Sequence, residues 1–320
     1  GSNKPLKNIN IINIMQNRKG DHMVNLKAKP FYLDDKQITW VEDTIEEMTL
    51  EEKIGQLFIY LNHDRTPEHI KNICSKYKFG GLRWQGGTLE EAYEQNRLFQ
   101  ENSKIPMLIA ANCESGGNGA VSEGTLVATP AACGASQNLE TTRGMGFVSG
   151  VEAAAIGCNW TFAPISDLLF NWRNSIVNTR AFGKDPDDVI DRCLAYMDGV
   201  KEHNIACCTK HFPGDGVDER DHHLLMSSND LSIEDWDASF GKVYSALIEA
   251  GIESMMIGHI SLPAYSRKFR SEILPASLSP ELINNLLREQ LGFNGLILTD
   301  ASHMAGLACA APEAYRSLAL

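Results

Sequence analysis

Short, nearly uninterrupted apolar runs recur along the chain at fairly regular intervals. They are "QLFIYL" from residue 56, "FGGLRW" from 79, "MLIAAN" from 107 and "NWTFAP" from 159. "ACCTKHF" from 206, "ESMMIGHI" from 253 and "GLILTD" from 295 continue the series. Between most of them lie amphipathic helical patterns, such as "LEEAYEQNRLFQEN" from 89 and "PDDVIDRCLAYMDGVKEHN" from 186. A third, "SPELINNLLREQLGF" from 279, predicts Ser279 as N-cap and Pro280 at the first helical position. Strands apolar throughout, alternating with helices, predict a parallel sheet covered on both faces.

Seven strands are visible in this pattern, and a (β/α)8 TIM-type barrel needs eight. After "GLILTD" only about one helix length remains, "EAYRSLAL" being its last part. The expectation is therefore an α/β chain forming a (β/α)8 TIM-type barrel, incomplete at its C-terminal end, with no eighth strand in the sequence. A doubly wound open sheet is the alternative, and the lack of a GxGxxG after the first strand weighs against it. The strand ends carry the chemistry. "MLIAAN" runs into Asn112 and Glu114, "NWTFAP" into Asp167, "ACCTKHF" into Lys210 and His211, "MMIGHI" ends near His259 and "GLILTD" at Asp300. A barrel places its active site at the carboxyl ends of its strands.

Composition narrows the class. With 320 residues, 43% hydrophobic and 22% charged, the chain can bury a large core. A net charge of −12 argues against nucleic acid or an anionic membrane surface as partner. No run approaches the ~18 apolar residues that would cross a bilayer, and "NINIINIM" lacks a secretory pattern. The eight cysteines are scattered without a CxxC pair, which predicts reduced thiols in a cytoplasm. The chain opens "GS" rather than Met, so residues 1–22 read as a tag or disordered extension. Residues 23–320 then read as one catalytic barrel domain, with Met23 as its start.

The densest chemistry lies in "KHFPGDGVDERDHH", Lys210 to His223, which has nine titratable side chains among fourteen residues. Together with "MTLEEKIGQLF" from 48 and "LILTDASHMAG" from 296, this segment resembles glycoside hydrolase family 3 over roughly residues 40–310. It follows the pattern K-H-F-P-G-x-G-x-x-x-x-D-x-H of the family's β-N-acetylhexosaminidase branch. The resemblance implies a retaining exo-glycosidase that removes terminal β-N-acetylglucosamine through a covalent glycosyl-enzyme. Asp300 stands at the position of the family's nucleophile, and His223 with Asp221 at that of its acid/base dyad. An imidazole, with an ordinary pKa of ~6.5, can give and take a proton near neutrality. Lys210, His211 and Arg180 match residues that hold sugar hydroxyls. His259 matches a residue that lines the site or satisfies the core, and Met304, in "TDASHM", reads as packing the pocket wall. The adjacent His222 reads as a bystander.

Two positions depart from the family pattern. Asn112 in "NCESGG" stands where this branch has a sugar-gripping Asp, losing charge-assisted strength. Asp215 stands where the family often has His. Both bear on sugar identity. A metal held by His211, Asp215, Asp221 and His223 is conceivable, but the family pattern accounts for these residues without one. The expectation is therefore no cofactor, a small carbohydrate as the only partner, and a C-terminal domain missing from this chain. β-Glucosidase, N-acetylglucosaminide phosphorylase and a non-catalytic sugar-binding barrel are the competing functions.

Overall fold

In the computed structural model, which describes residues 24–311, each of the seven apolar runs contains a strand. With all strands numbered in chain order, these are β1 (Ile59–Leu61), β2 (Gly81–Arg83), β3 (Leu108–Ala111), β4 (Trp160–Thr161) and β5 (Ala206–Phe212). A separate parallel pair, β6 (Ser227–Ser228) with β8 (Ile260–Ser261), lies outside the main sheet. β7 (Ser254–Ile257) and β9 (Leu296–Thr299) complete the seven.

All seven pair in parallel, in the order β1-β2-β3-β4-β5-β7-β9. Each strand therefore lies beside its predecessor in the chain, with no reversal of direction across the sheet. A doubly wound sheet has a switch point where the order reverses, so this arrangement is a singly wound, incomplete barrel. β1 and β9 are its edges, and there is no eighth barrel strand among the described residues. Residues 1–22 and "EAYRSLAL" lie outside the described residues.

Two apolar layers follow from strand alternation. Ala110, Trp160, Phe162, Cys208, Met256 and Leu298 form one small cluster. Their strand neighbours Ile109, Ala111, Cys207, Met255 and Ile257 belong to the larger cluster that includes the covering helices. Cys207 and Cys208 thus serve opposite faces of one strand. Trp160 donates from Nε1 to Ser254 Oγ at 2.8 Å, which ties β4 to β7. All eight cysteines are unpaired, seven of them buried. No helix of the described residues is long and apolar enough to cross a membrane.

Helix ends largely obey local chemistry. Leu89–Glu101 begins with a capping box from Thr88 and Glu91, and Pro186–Lys201 with Asp185 as N-cap and Pro at N1. The expected cap at Ser279 differs. Its buried hydroxyl makes no hydrogen bond, Pro280 takes the cap position, and Glu281–Gln290 is wound as a π-helix. The Ser279 carbonyl instead accepts from the N–H groups of Leu282 and Ile283.

After β5 the chain turns sharply through "PGDG". Gly216 sits at φ +104°, and a Cβ there would lie 2.1 Å from the Leu168 carbonyl oxygen. Gly216→Ala should therefore destabilise the protein by about 2 kcal/mol or more. Gly183→Ala, with nothing within 4 Å of the added carbon, should change stability by less than about 0.5 kcal/mol. Urea unfolding midpoints check both, and equal midpoints for the two variants would contradict the turn geometry.

Candidate active site

The carboxyl ends of β3, β4, β5 and β9 carry Glu114, Asp167, Lys210 with His211, and Asp300, which meet in two clusters. Asp167, beyond β4, is wholly buried. Its Oδ1 accepts from the backbone N–H of His211 at 3.0 Å and of Asp215 at 2.8 Å. Its Oδ2 accepts from His211 Nδ1 at 2.7 Å. Burial would raise this carboxyl, but His211 and the two N–H groups outweigh that and hold it below its usual value.

Asp300 follows the last residue of β9. His211 Nε2 lies 3.9 Å from its Oδ2, and His222 Nε2 lies 3.6 Å from the same oxygen. Burial alone would raise the Asp300 carboxyl. The imidazoles of His211 and His222 and the N–H of Ala301 overcome this and hold it at about 2. His222 itself is driven down to about 3, first by burial and then by His211, so near neutral pH it acts on Asp300 as a dipole. Asp300 is ionised there, with 15% of its side chain exposed. An ionised carboxylate on a strand end is equipped to attack an electrophilic carbon.

A second cluster lies beside the first. Glu114, beyond β3, receives Nε and a terminal nitrogen of Arg180 at 2.9 and 2.8 Å, and Lys210 Nζ approaches its Oε1 at 2.7 Å. Burial would raise Glu114, but the Lys210 charge and the Arg180 fork overcome it and hold the carboxyl well below the usual range. Arg180 is raised above its usual value against its own burial by the same pair. Asn112, half-buried, stands two residues before Glu114.

His223 and Asp221 form a pair at the rim. Asp221 Oδ1 accepts from His223 Nδ1 and from its backbone N–H, both at 2.8 Å. Half of the His223 side chain is exposed. His222, which the spacing predicts to stand aside, is instead wholly buried between Asp215 and Asp300, one ring from His223 at 5.0 Å between centroids. Asp215 is raised to about 6, first by burial and then by the charge of Asp167. His259 has both ring nitrogens engaged, Nδ1 with Ser277 Oγ at 2.8 Å and Nε2 with the Ala301 carbonyl at 3.1 Å. It steadies the turn that carries Asp300. Met304 is buried at the start of the short helix Ala305–Ala308.

Among the described residues the ligand-type atoms that converge are those of His211, His222 and Asp300, rather than the set His211, Asp215, Asp221 and His223. Glu114, Asp167, Asp215 and His222 thus surround residues that the motif singles out. The strand-end rule already points to the first two, since both lie just past a strand, whereas nothing in the sequence assigned a role to Asp215 or His222.

Residues 49–319 match the glycosyl hydrolase family 3 N terminal domain. The chain belongs to that family. A "Beta-N-acetylglucosaminidase/beta-glucosidase" of Cellulomonas fimi is 43% identical over 91% of this chain and 52% of its own length. A "Beta-hexosaminidase" of Methylococcus capsulatus is 31% identical over 67% of this chain and 63% of its own length. Among solved structures, a "Beta-glucoside phosphorylase BglX bound to 2FGlc" superposes with a TM-score of 0.87 at 39% identity, covering 90% of this chain and 53% of that one. The chain spans about half the length of the Cellulomonas fimi relative and of the phosphorylase.

The Glu114 triad yields a test of stability. The folded pKa of Glu114 lies below its unfolded value of ~4.3, so its contribution is complete above that pH. It is lost as pH falls through and below that value towards the folded pKa. Glu114→Gln should cost about 3 kcal/mol at pH 7, because it leaves the buried Lys210 ammonium without its anion. The variant should also lose less stability than the wild type between about pH 5 and 3. Urea titrations across that range measure this, and parallel curves would contradict an ionised Glu114.

Proposed function

We propose that this chain is the catalytic barrel of a retaining exo-glycosidase acting on terminal β-N-acetylglucosaminides. The observation that carries the reading is an ionised Asp300 at the end of β9, flanked by His211 and His222, beside an assembled Asp221–His223 pair. Asp300 attacks the anomeric carbon and forms the glycosyl-enzyme. His223, oriented by Asp221, protonates the departing oxygen and then takes a proton from the incoming acceptor. Lys210, Arg180 and His211 hold sugar hydroxyls, with Glu114 fixing the two cations. Asn112 contributes an amide where a carboxylate would bind a hydroxyl more strongly. Residues 23–320 form one catalytic unit, and the unpaired cysteines support a reducing, cytoplasmic setting.

A second reading has a specific observation in its favour. The neighbour superposing at a TM-score of 0.87 is named a β-glucoside phosphorylase. An imidazole acid/base leaves less negative charge near the anomeric carbon than a carboxylate would. Phosphate can then approach the glycosyl-enzyme in place of water, beside the Lys210 and Arg180 cations. In this reading the proton steps at His223 are unchanged and only the acceptor differs.

Turnover of aryl β-N-acetylglucosaminide and aryl β-glucoside, with and without phosphate, separates these readings. The hydrolase reading expects the N-acetylated donor to be favoured at least about tenfold, with free sugar released at the same rate in phosphate. Sugar 1-phosphate as the main product establishes the phosphorylase instead. In either case His223→Ala should slow poor leaving groups by about 100-fold or more and largely spare the first step on activated aryl donors. If His222→Ala alone gives that leaving-group dependence, the acid/base is His222.

A further inference from the structure

The loop that follows β4 and the loop that follows β5 meet at one side chain, Asn174, which is wholly buried. Neither the strand-end pattern nor the family motif singles it out. Its Nδ2 donates to Asp215 Oδ1 and to the Asp218 carbonyl, both at 2.7 Å. Its Oδ1 accepts from the N–H of Ile176 at 3.0 Å and of Val177 at 2.7 Å. A primary amide has two N–H donors and two acceptor lone pairs, and here all four are used.

Each half of the amide holds a different part of the site. On the acceptor side, the Val177 carbonyl accepts from the N–H groups of Arg180 and Ala181, so Asn174 fixes the turn that presents the Arg180 guanidinium to Glu114. On the donor side, Asp215 lies behind His222, and Asp218 Oδ2 accepts from the Ser228 N–H at 3.0 Å. Asp221 and His223 lie between Asp218 and Ser228. A main-chain strut runs alongside, from the Asn171 N–H to the Gly216 carbonyl at 2.8 Å, and involves no side chain. Without the Asn174 amide, four polar groups lose a partner. Leaving buried groups unsatisfied is costly, so the loops that carry them shift to recover partners.

We propose that Asn174 is a positioning residue that couples the Arg180 turn to the loop carrying Asp221 and His223. What those two segments do in turnover rests on the proposed function, whereas the coupling rests on the hydrogen bonds alone. The two halves are chemically separable. Asn174→Asp keeps the shape and the acceptor oxygen that Ile176 and Val177 require, but it has no N–H for Asp215 or for the Asp218 carbonyl. It also places a second carboxylate against that of Asp215, and like charges disfavour the contact. The loop with Asp221 and His223 is then released while the Arg180 turn is kept. Asn174→Ala releases both. A residue that served only the stability of the fold would not divide in this way.

Backbone hydrogen–deuterium exchange of the full chain, read by peptide mass spectrometry against wild type, tests the coupling without turnover. Asn174→Ala should speed exchange by at least about tenfold in peptides covering residues 176–181 and 215–228. Asn174→Asp should do so in 215–228 only, at about pH 8, where a proton shared by the two carboxyls is least favoured. Neither should change the helix Pro186–Lys201, and a rise there as well would mark a general loss of stability and overturn the proposal. Unchanged exchange at 215–228 in Asn174→Asp would overturn it too. In turnover of aryl β-N-acetylglucosaminides, Asn174→Asp should lower kcat/KM about tenfold for poor leaving groups and by less than about twofold for activated ones. Asn174→Ala should lower both, since Arg180 then holds the sugar less well. Equal losses for all leaving groups in Asn174→Asp would contradict the link to His223. If the wild type turns over no such donor, the proposed function fails while the exchange pattern still decides the coupling. Circular dichroism identifies any variant that fails to fold, and Asn174→Ser, whose shorter hydroxyl cannot reach across both loops, then replaces it with the outcome expected of Asn174→Ala.

Discussion

The architecture of the site depends on one buried anion. Asp167 has no exposed surface, and both of its oxygens are occupied by β5 and the turn that follows it. An isolated charge in such a place would be too costly to keep. Three hydrogen bonds offset the cost, and they also define where the histidine ring and the glycine turn must go. Because the anion comes from the exit of β4 and its donors from β5 and the turn after it, neighbouring strands of the barrel are locked at their carboxyl ends. The "PGDG" turn then has little freedom, and Asp215 is carried inward behind His222, whose ring faces Asp300.

Charge balance explains the other half of the site. The Glu114 carboxylate lies between Lys210 and Arg180, so two cations are gathered without facing each other unscreened. Around Asp300 the balance is different, since its neighbours are imidazoles. A carboxylate flanked by imidazoles at 3.6 and 3.9 Å stays ionised without being neutralised by a tight ion pair. The two departures from the family pattern fall in these same shells. Asn112 lies near the cationic cluster, and Asp215 behind His222, so each can alter what the site holds without touching Asp300.

Much of the fold was legible because buried parallel strands leave a plain trace. "MLIAAN", "ACCTKHF" and "GLILTD" are apolar where two faces are covered and polar where the strand exits, and β3, β5 and β9 lie within them. The small β6–β8 pair was not legible, since two residues of "MSSN" and two of "HISL" carry no periodicity. Nor was the π-winding of Glu281–Gln290, which has an ordinary amphipathic pattern. At the site, spacing distinguished His223 from His222 as positions in a motif. It could not show that one ring is half exposed and the other wholly buried, because adjacent loop residues share every local signal. Which way a ring faces is decided by Asp215 and Asp300, which are distant in sequence or separated by a glycine turn.

The central claim is that the carboxylate at the end of β9 becomes covalently bonded to the sugar. Incubation with an activated 2-deoxy-2-fluoro glycosyl donor slows release of the intermediate, and digestion followed by peptide mass spectrometry locates the adduct. The account predicts a single modified peptide containing "LILTDASHM", with the added mass on Asp300. An adduct on Glu114, Asp215 or Asp221, or none after complete inactivation, would contradict it.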